Sequence, residues 1–167
     1  MADKRLLVVL DGSAISKRAV KYVASLVGRR RGFRLCLVHV LPPLPAGLLE
    51  HGGSENPIQE ARLEADLKAE QQRWISAAKS TAQKDMDNAR MALRKGGVPA
   101  VSIQALFCDP DEGPNTADDI LRMATGCKCH TIVVGRQSVS WFHELFSHEL
   151  PEELLRRGKG FSLWVIE

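Results

Sequence analysis

Leu6-Leu-Val-Val-Leu10 is apolar at every position, and the chain leaves it through Asp11-Gly12-Ser13 directly into a helical pattern. A strand with no polar face needs cover on both sides, which parallel sheets obtain from crossover helices. Ser13 is placed to cap the helix, whose Ile15, Ala19, Val20, Val23, Ala24 and Val27 recur at three-to-four spacing before Gly28. Strand, turn and helix is the unit from which the rest is built.

The unit repeats along the chain. Leu35-Cys-Leu-Val-His-Val40 is a second apolar run, and Leu41-Pro-Pro-Leu-Pro45 stops it because proline cannot continue a central ladder. The proline- and glycine-rich stretch from Pro42 to Pro57 reads as a mobile loop or lid. A long helix is predicted from Pro57 to Lys95, with Trp74, Ala78, Ala82, Met86, Ala89 and Leu93 as a narrow apolar stripe and Gly96-Gly97 as its end. Its first half, Glu60 to Arg73, is highly charged and is expected to project beyond the core. Val98 to Phe107 reads as a third strand, and Thr116 caps a helix carrying Ile120, Leu121, Met123 and Ala124 that Gly126 ends. His130 to Val134 is the fourth strand, Pro151 to Arg157 a short helix and Phe161 to Ile166 the last strand. Strands alternating with helices imply a parallel sheet with right-handed crossovers, in one domain over residues 1–167.

With 44% hydrophobic and 26% charged residues in 167, the chain has enough apolar material for a core without covalent staples. No run approaches the ~20 apolar residues of a membrane-spanning helix. The run behind Met-Ala-Asp-Lys-Arg is too short for a secretion signal. A soluble, cytosolic (cytoplasmic) protein is expected, and with it free thiols at Cys36, Cys108, Cys127 and Cys129. The net charge of +3 owes part to Lys17, Arg18, Lys21, Arg29, Arg30 and Arg31 around the first helix. A nucleic-acid surface calls for a larger basic excess with interleaved aromatics, and the chain has only three Trp, one Tyr and five Phe. The cluster reads as a solvated helix face, with neither nucleic acid nor membrane as partner.

Thr131-Ile-Val-Val-Gly135-Arg136 ends a buried strand in glycine, and the chain runs on through Ser138 to Ser147-His148-Glu149-Leu150-Pro151. Such a strand, glycine and helix sequence is where many α/β proteins hold phosphate on free backbone N–H groups.

Leu6-Leu-Val-Val-Leu-Asp11-Gly-Ser13, the amphipathic helix after it, Leu37-Val-His-Val40 and Thr131-Ile-Val-Val-Gly135-Arg136 together resemble the universal stress protein family. The resemblance covers nearly the whole chain, including the order and lengths of the elements. It implies a doubly wound, Rossmann-like α/β fold of the adenine nucleotide alpha hydrolase-like kind. The sheet would be five-stranded and mainly parallel, in the order 3-2-1-4-5, with helices on both faces. It implies that Asp11, ending the first strand, lies against a nucleoside, and that Val40, ending the second, meets adenine through its backbone. It further implies a stress-response or regulatory role through protein contacts. A homodimer would form along Phe161-Ser-Leu-Trp-Val-Ile166, an apolar edge otherwise left exposed.

Family members that bind ATP carry glycine, two residues, glycine, nine residues, glycine and then serine or threonine. Here those positions are Gly135, Ser138, His148 and Glu149, so only the first matches. Glycine serves there because a backbone without Cβ approaches phosphate closely and takes φ > 0. Ser138 is small and His148 can donate a hydrogen bond, but Glu149 brings a negative charge to the helix start. A like charge ~4 Å away costs up to about 4 kcal/mol at an effective dielectric near 20, against about 0.3–1 kcal/mol from a helix dipole. Pro151 lacks an N–H and disfavours helical geometry at Leu150, so the helix is expected to begin there rather than at His148. Ordinary ATP binding, and any cofactor, is therefore not expected. The alternative is an adenine-nucleotide switch, for ATP, AMP or another adenine ligand, in which Ser138 and His148 form an altered phosphate site.

Other residues carry two readings each. Asp11 is either a ligand for a nucleoside or the carboxylate of an Asx-type turn. Gly135 is first a turn residue and second a phosphate contact. Cys127-Lys-Cys129-His130 has zinc-type ligands, but its spacing is tighter than C-x₂-C and no fourth ligand is near, so a metal site or a redox-active thiol pair is the remoter reading. His39 reads as a satisfied buried imidazole. Trp141, Phe142 and Phe146 either fill the altered pocket or form a contact patch for a protein partner. No Ser/His/Asp or paired-carboxylate set can be assembled, so an enzyme is not expected.

Overall fold

The computed structural model describes residues 4–110, 116–136 and 150–167. Its strands are β1 (Lys4–Leu10), β2 (Phe33–Val40), β3 (Ile103–Cys108), β4 (Thr131–Gly135) and β5 (Ser162–Ile166). Between them run helices α1 (Ala14–Val27), α2 (Pro57–Lys95), α3 (Thr116–Gly126) and α4 (Leu150–Arg157). The strands form one sheet in the order 3-2-1-4-5, and every neighbouring pair is parallel.

The unbroken apolar runs are explained by two separate cores. Leu6, Val8 and Leu10 pack with Val20, Val23, Val27, Met86 and Leu93 under α1 and α2. Leu7 and Val9 point the other way and pack with Ile120, Ala124 and Leu154 under α3 and α4. Side chains alternate across a strand, so each face needs its own apolar set, and β1 supplies both.

The long helix α2 is buried only in its second half, from Ile75 through Ala82, Met86 and Ala89 to Leu93. At 39 residues it extends about 58 Å, farther than the sheet can cover. It ends in a Schellman turn: Val98 N–H bonds Leu93 O at 3.0 Å, Gly97 N–H bonds Arg94 O at 3.0 Å, and Gly97 takes φ 100°. Val98 is thereby the helix stop and not a strand residue. Pro99 heads a 3₁₀ turn over Ala100–Ser102, with Ser102 N–H on Pro99 O at 2.9 Å, which delays β3 to Ile103. The predicted third strand from Val98 was thus too early, because proline has no N–H for the ladder and the turn competes locally.

The other ends move less. β4 and β5 each begin one residue later than predicted, and α4 opens at Leu150, with Pro151 in its first turn, where a missing N–H costs nothing. After β2, Leu41 and Leu44 are buried with Ile75 and Ala82 of α2, and Gln71 Nε2 donates to Leu48 O at 2.7 Å. Among the described residues no helix is long and apolar enough to cross a membrane.

Candidate functional site

From β1 the chain winds outward through β2 to β3, then returns to place β4 on the opposite side of β1. The crevice outside the carboxyl ends of β1 and β4 is therefore a topological switch point, where open α/β sheets take ligands. Asp11 follows the end of β1, Gly135 ends β4 and Val40 ends the adjacent β2. Three predicted site residues thus stand on one edge of the sheet. Ser138 and His148, with Glu149 and the aromatics Trp141, Phe142 and Phe146, lie outside the described residues.

Asp11 makes the turn. Its Oδ1 accepts from Ser13 N–H at 2.8 Å, an Asx turn, while Gly12 takes φ 80°. Ser13 then caps α1, its Oγ accepting from Ser16 N–H at 3.1 Å. A Cβ on residue 12 would lie 3.0 Å from Asp85 Oδ2 of α2, and Asp85 Oδ1 pairs with Lys17 Nζ at 3.3 Å. The second carboxylate oxygen of Asp11, Oδ2, is buried and has no hydrogen-bond partner among the described residues. An unpaired buried acceptor costs about 1–3 kcal/mol, so this oxygen is poised to receive a donor.

His39 sits one residue before Val40, 5% exposed. Its Nδ1 is 3.1 Å from Val40 O, and since a carbonyl only accepts, Nδ1 carries the proton. Burial pushes the imidazole below its ordinary pKa, against the opposing pulls of Val40 O, Asp85 and Asp11. Nε2 is then a bare acceptor, buried and without a partner among the described residues. The imidazole expected to be satisfied is satisfied at one nitrogen only.

Gly135 does not use a glycine-only backbone: the described glycines with positive φ are Gly12, Gly32, Gly53, Gly97 and Gly160. A Cβ there would fall 2.5 Å from Ile15 Cγ2, so the residue is small because α1 crosses β4 at this point. An open cavity of about 420 Å³ borders the same sheet edge, walled by Phe107 to Asp109 and by Asp119, Arg122 and Met123 of α3. That volume is within the range of small-ligand clefts.

The sequence reading missed two groups. Cys127 and Cys129 do cluster, but their partner is Cys36 of β2 and not the exposed His130; Cys36 Sγ lies 2.9 Å from Cys127 Sγ. All four cysteines are free. Near the start of α2, His51, Glu60 and Glu64 bring ligand-type atoms within 4.8 Å of one another. His51 Nδ1 accepts from Gly53 N–H at 3.2 Å, which puts the proton of neutral His51 on Nε2, facing Glu60 Oε1 at 3.6 Å. That is a donor aimed at a carboxylate and not a lone pair aimed at an ion.

No curated protein sequence matches the chain. Solved structures match it along almost its full length. A protein of the universal stress protein family from Burkholderia pseudomallei is 19% identical with a TM-score of 0.59, covering 98% of this chain and 95% of its own. A universal stress protein in complex with cAMP gives 16% identity, a TM-score of 0.61 and coverages of 100% and 98%. The universal stress protein from Archaeoglobus fulgidus in complex with dAMP gives 18%, 0.56 and 100% of both chains. At such identities the likeness is one of fold. The universal stress protein family model matches residues 3–160, and by that match the chain belongs to the universal stress protein family.

Proposed function

We propose that this chain is a cytosolic regulatory protein, not an enzyme, whose site takes an adenine nucleoside monophosphate, AMP or a cyclic relative, in preference to ATP. The observation that carries the reading is the buried, unpartnered Oδ2 of Asp11 at the switch point, an acceptor left open after the turn has used Oδ1. A ribose hydroxyl supplies the missing donor. The relatives described with cAMP and dAMP point to the same ligand class. On the phosphate side, Gly135 alone keeps the ATP signature, while Glu149 adds negative charge that a triphosphate meets more severely than a monophosphate.

The same protein acts through contacts with itself and a protein partner. Among the described residues β5 pairs only with β4, so its outer edge presents N–H and C=O groups that none of them pairs, with Val165 38% exposed beside it. A second copy adding along β5 satisfies that edge and gives a homodimer.

The test is thermal unfolding of the full chain with AMP, cAMP or Mg-ATP at millimolar concentration. AMP or cAMP raises Tm, a ligand at 100 times its Kd adding about 2.7 kcal/mol, and Mg-ATP raises it less. A larger rise with Mg-ATP, or none with any of the three, overturns the reading.

A further inference from the structure

The edge of the molecule away from Asp11 carries a thiol cluster that the nucleotide reading does not use. α3 closes in a Schellman turn: Cys129 N–H bonds Ala124 O at 2.8 Å and Lys128 N–H bonds Thr125 O at 3.0 Å, with Lys128 in the left-handed region at φ 55°. The residues flanking Lys128 are Cys127 and Cys129, and the turn brings both thiols to Cys36 of β2. Arg5 of β1 donates from Nη1 to Cys127 O at 3.2 Å, which holds the turn against the sheet.

Cys36 Sγ and Cys127 Sγ are 2.9 Å apart, so a movement of about 0.9 Å reaches the ~2.05 Å of a disulfide. Cys36 and Cys129 also share a hydrogen bond between their sulfurs, and Cys129 Sγ donates to Cys127 O at 3.9 Å. The Cys36 thiol is pushed up by that bond and by burial, while Cys129 is pulled down by the same bond, with burial opposing and the charge of Arg5 assisting. A cavity of about 210 Å³ is lined by all three cysteines together with Arg5, Arg34 and Gln104. Of the three cysteines, Cys127 is the least buried. A shared metal ion fits less well, because the only three-ligand group gathered within 4.8 Å among the described residues is His51, Glu60 and Glu64.

We propose that Cys36 and Cys127 form a reversible disulfide, with hydrogen peroxide or another small hydroperoxide entering this cavity as the oxidant and Cys129 as the positioning residue. The Cys127 thiolate attacks a peroxide oxygen; an S–O bond forms, the O–O bond breaks and hydroxide leaves, to be protonated to water. Cys36 sulfur, oriented by its hydrogen bond with Cys129, attacks the Cys127 sulfenic sulfur. The S–S bond forms, the S–O bond breaks, and the departing hydroxide takes the proton of Cys36 as a second water. Two thiols and one peroxide become one disulfide and two waters, two electrons passing from sulfur to oxygen.

The experiment treats the full chain with hydrogen peroxide at neutral pH, alkylates the remaining thiols and maps the peptides by mass spectrometry. A Cys36–Cys127 cross-linked peptide appears within one chain and disappears on dithiothreitol treatment. In Cys127→Ser the cross-link is lost and Cys36 is consumed about tenfold more slowly; in Cys129→Ala the cross-link forms about tenfold more slowly while Cys127 runs on to the sulfinic acid. Retention of every thiol in the wild-type chain, a Cys127–Cys129 bond, or a bond between chains overturns the proposal. The wild-type peptide map decides this even where a variant fails to fold.

Discussion

Gly135 and Ile15 are in such close contact that a Cβ on residue 135 would lie 2.5 Å from Ile15 Cγ2. The glycine that looks like part of a phosphate loop is required by the crossing of α1 over β4.

Gly135→Ala therefore destabilises the protein by about 1–3 kcal/mol through overpacking. Truncating the other partner, in Gly135→Ala with Ile15→Ala, recovers part of the loss, and urea unfolding of the four members of the cycle gives a coupling energy of about 0.5–3 kcal/mol. Strict additivity would show that the glycine serves something other than this contact.

Asp11 does two separable things. Asp11→Asn keeps the Oδ1 acceptor for Ser13 N–H and costs little stability, whereas Asp11→Ala removes it and costs about 0.5–2 kcal/mol. Both lose the open carboxylate oxygen Oδ2, and AMP binding by calorimetry weakens at least about tenfold, or ~1.4 kcal/mol, in each. Full affinity in the asparagine variant would assign Asp11 to the turn alone.

His39 makes stability depend on pH. Its native pKa lies below the ordinary 6.5, so between the two values the unfolded chain binds more protons than the folded one. Stability is complete above about 6.5 and falls as the pH drops below it, until native His39 itself charges, with a slope of at most about 1.4 kcal/mol per pH unit. His39→Gln removes this component. Urea titrations of both proteins at successive pH values check it, and equal slopes would refute it.

Lys128 holds the position in the α3 Schellman turn that Gly97 holds in the α2 turn. Lys128 is exposed and left-handed, so Lys128→Gly relieves the Cβ clash and raises stability by about 0.5–1 kcal/mol in thermal unfolding. A loss instead would mean that the lysine stem packs more than its exposure suggests.

The sheet was legible because its signals are local. Leu6 to Leu10 and Leu35 to Val40 carry apolar residues at both parities, Ser13 caps the first helix, and Gly96-Gly97 closes the longest one; each cue sits within a few residues of what it specifies. β3 was misplaced where two local preferences competed, since Val98 suits a strand and also serves as the apolar stop of a Schellman turn. At the candidate site, the placement of Asp11, Val40 and Gly135 on one edge follows from strand ends in a parallel sheet. The two open acceptors, Asp11 Oδ2 and His39 Nε2, were not legible, because whether a polar atom finds a partner depends on every element packed around it.

The sequence by itself determined the order of strands and helices and the turn at Asp11, because these are properties of neighbouring residues and their periodicity, while the departure of residues 138, 148 and 149 from the ATP signature is read against the family that the sequence resembles. Only the tertiary structure decided that Ile15 excludes a side chain at position 135 and that Cys36 meets Cys127 across 91 residues of chain. Alternation says which face of β2 carries Cys36, but register and helix docking set what stands opposite it, and those are fixed by the packing of the whole sheet.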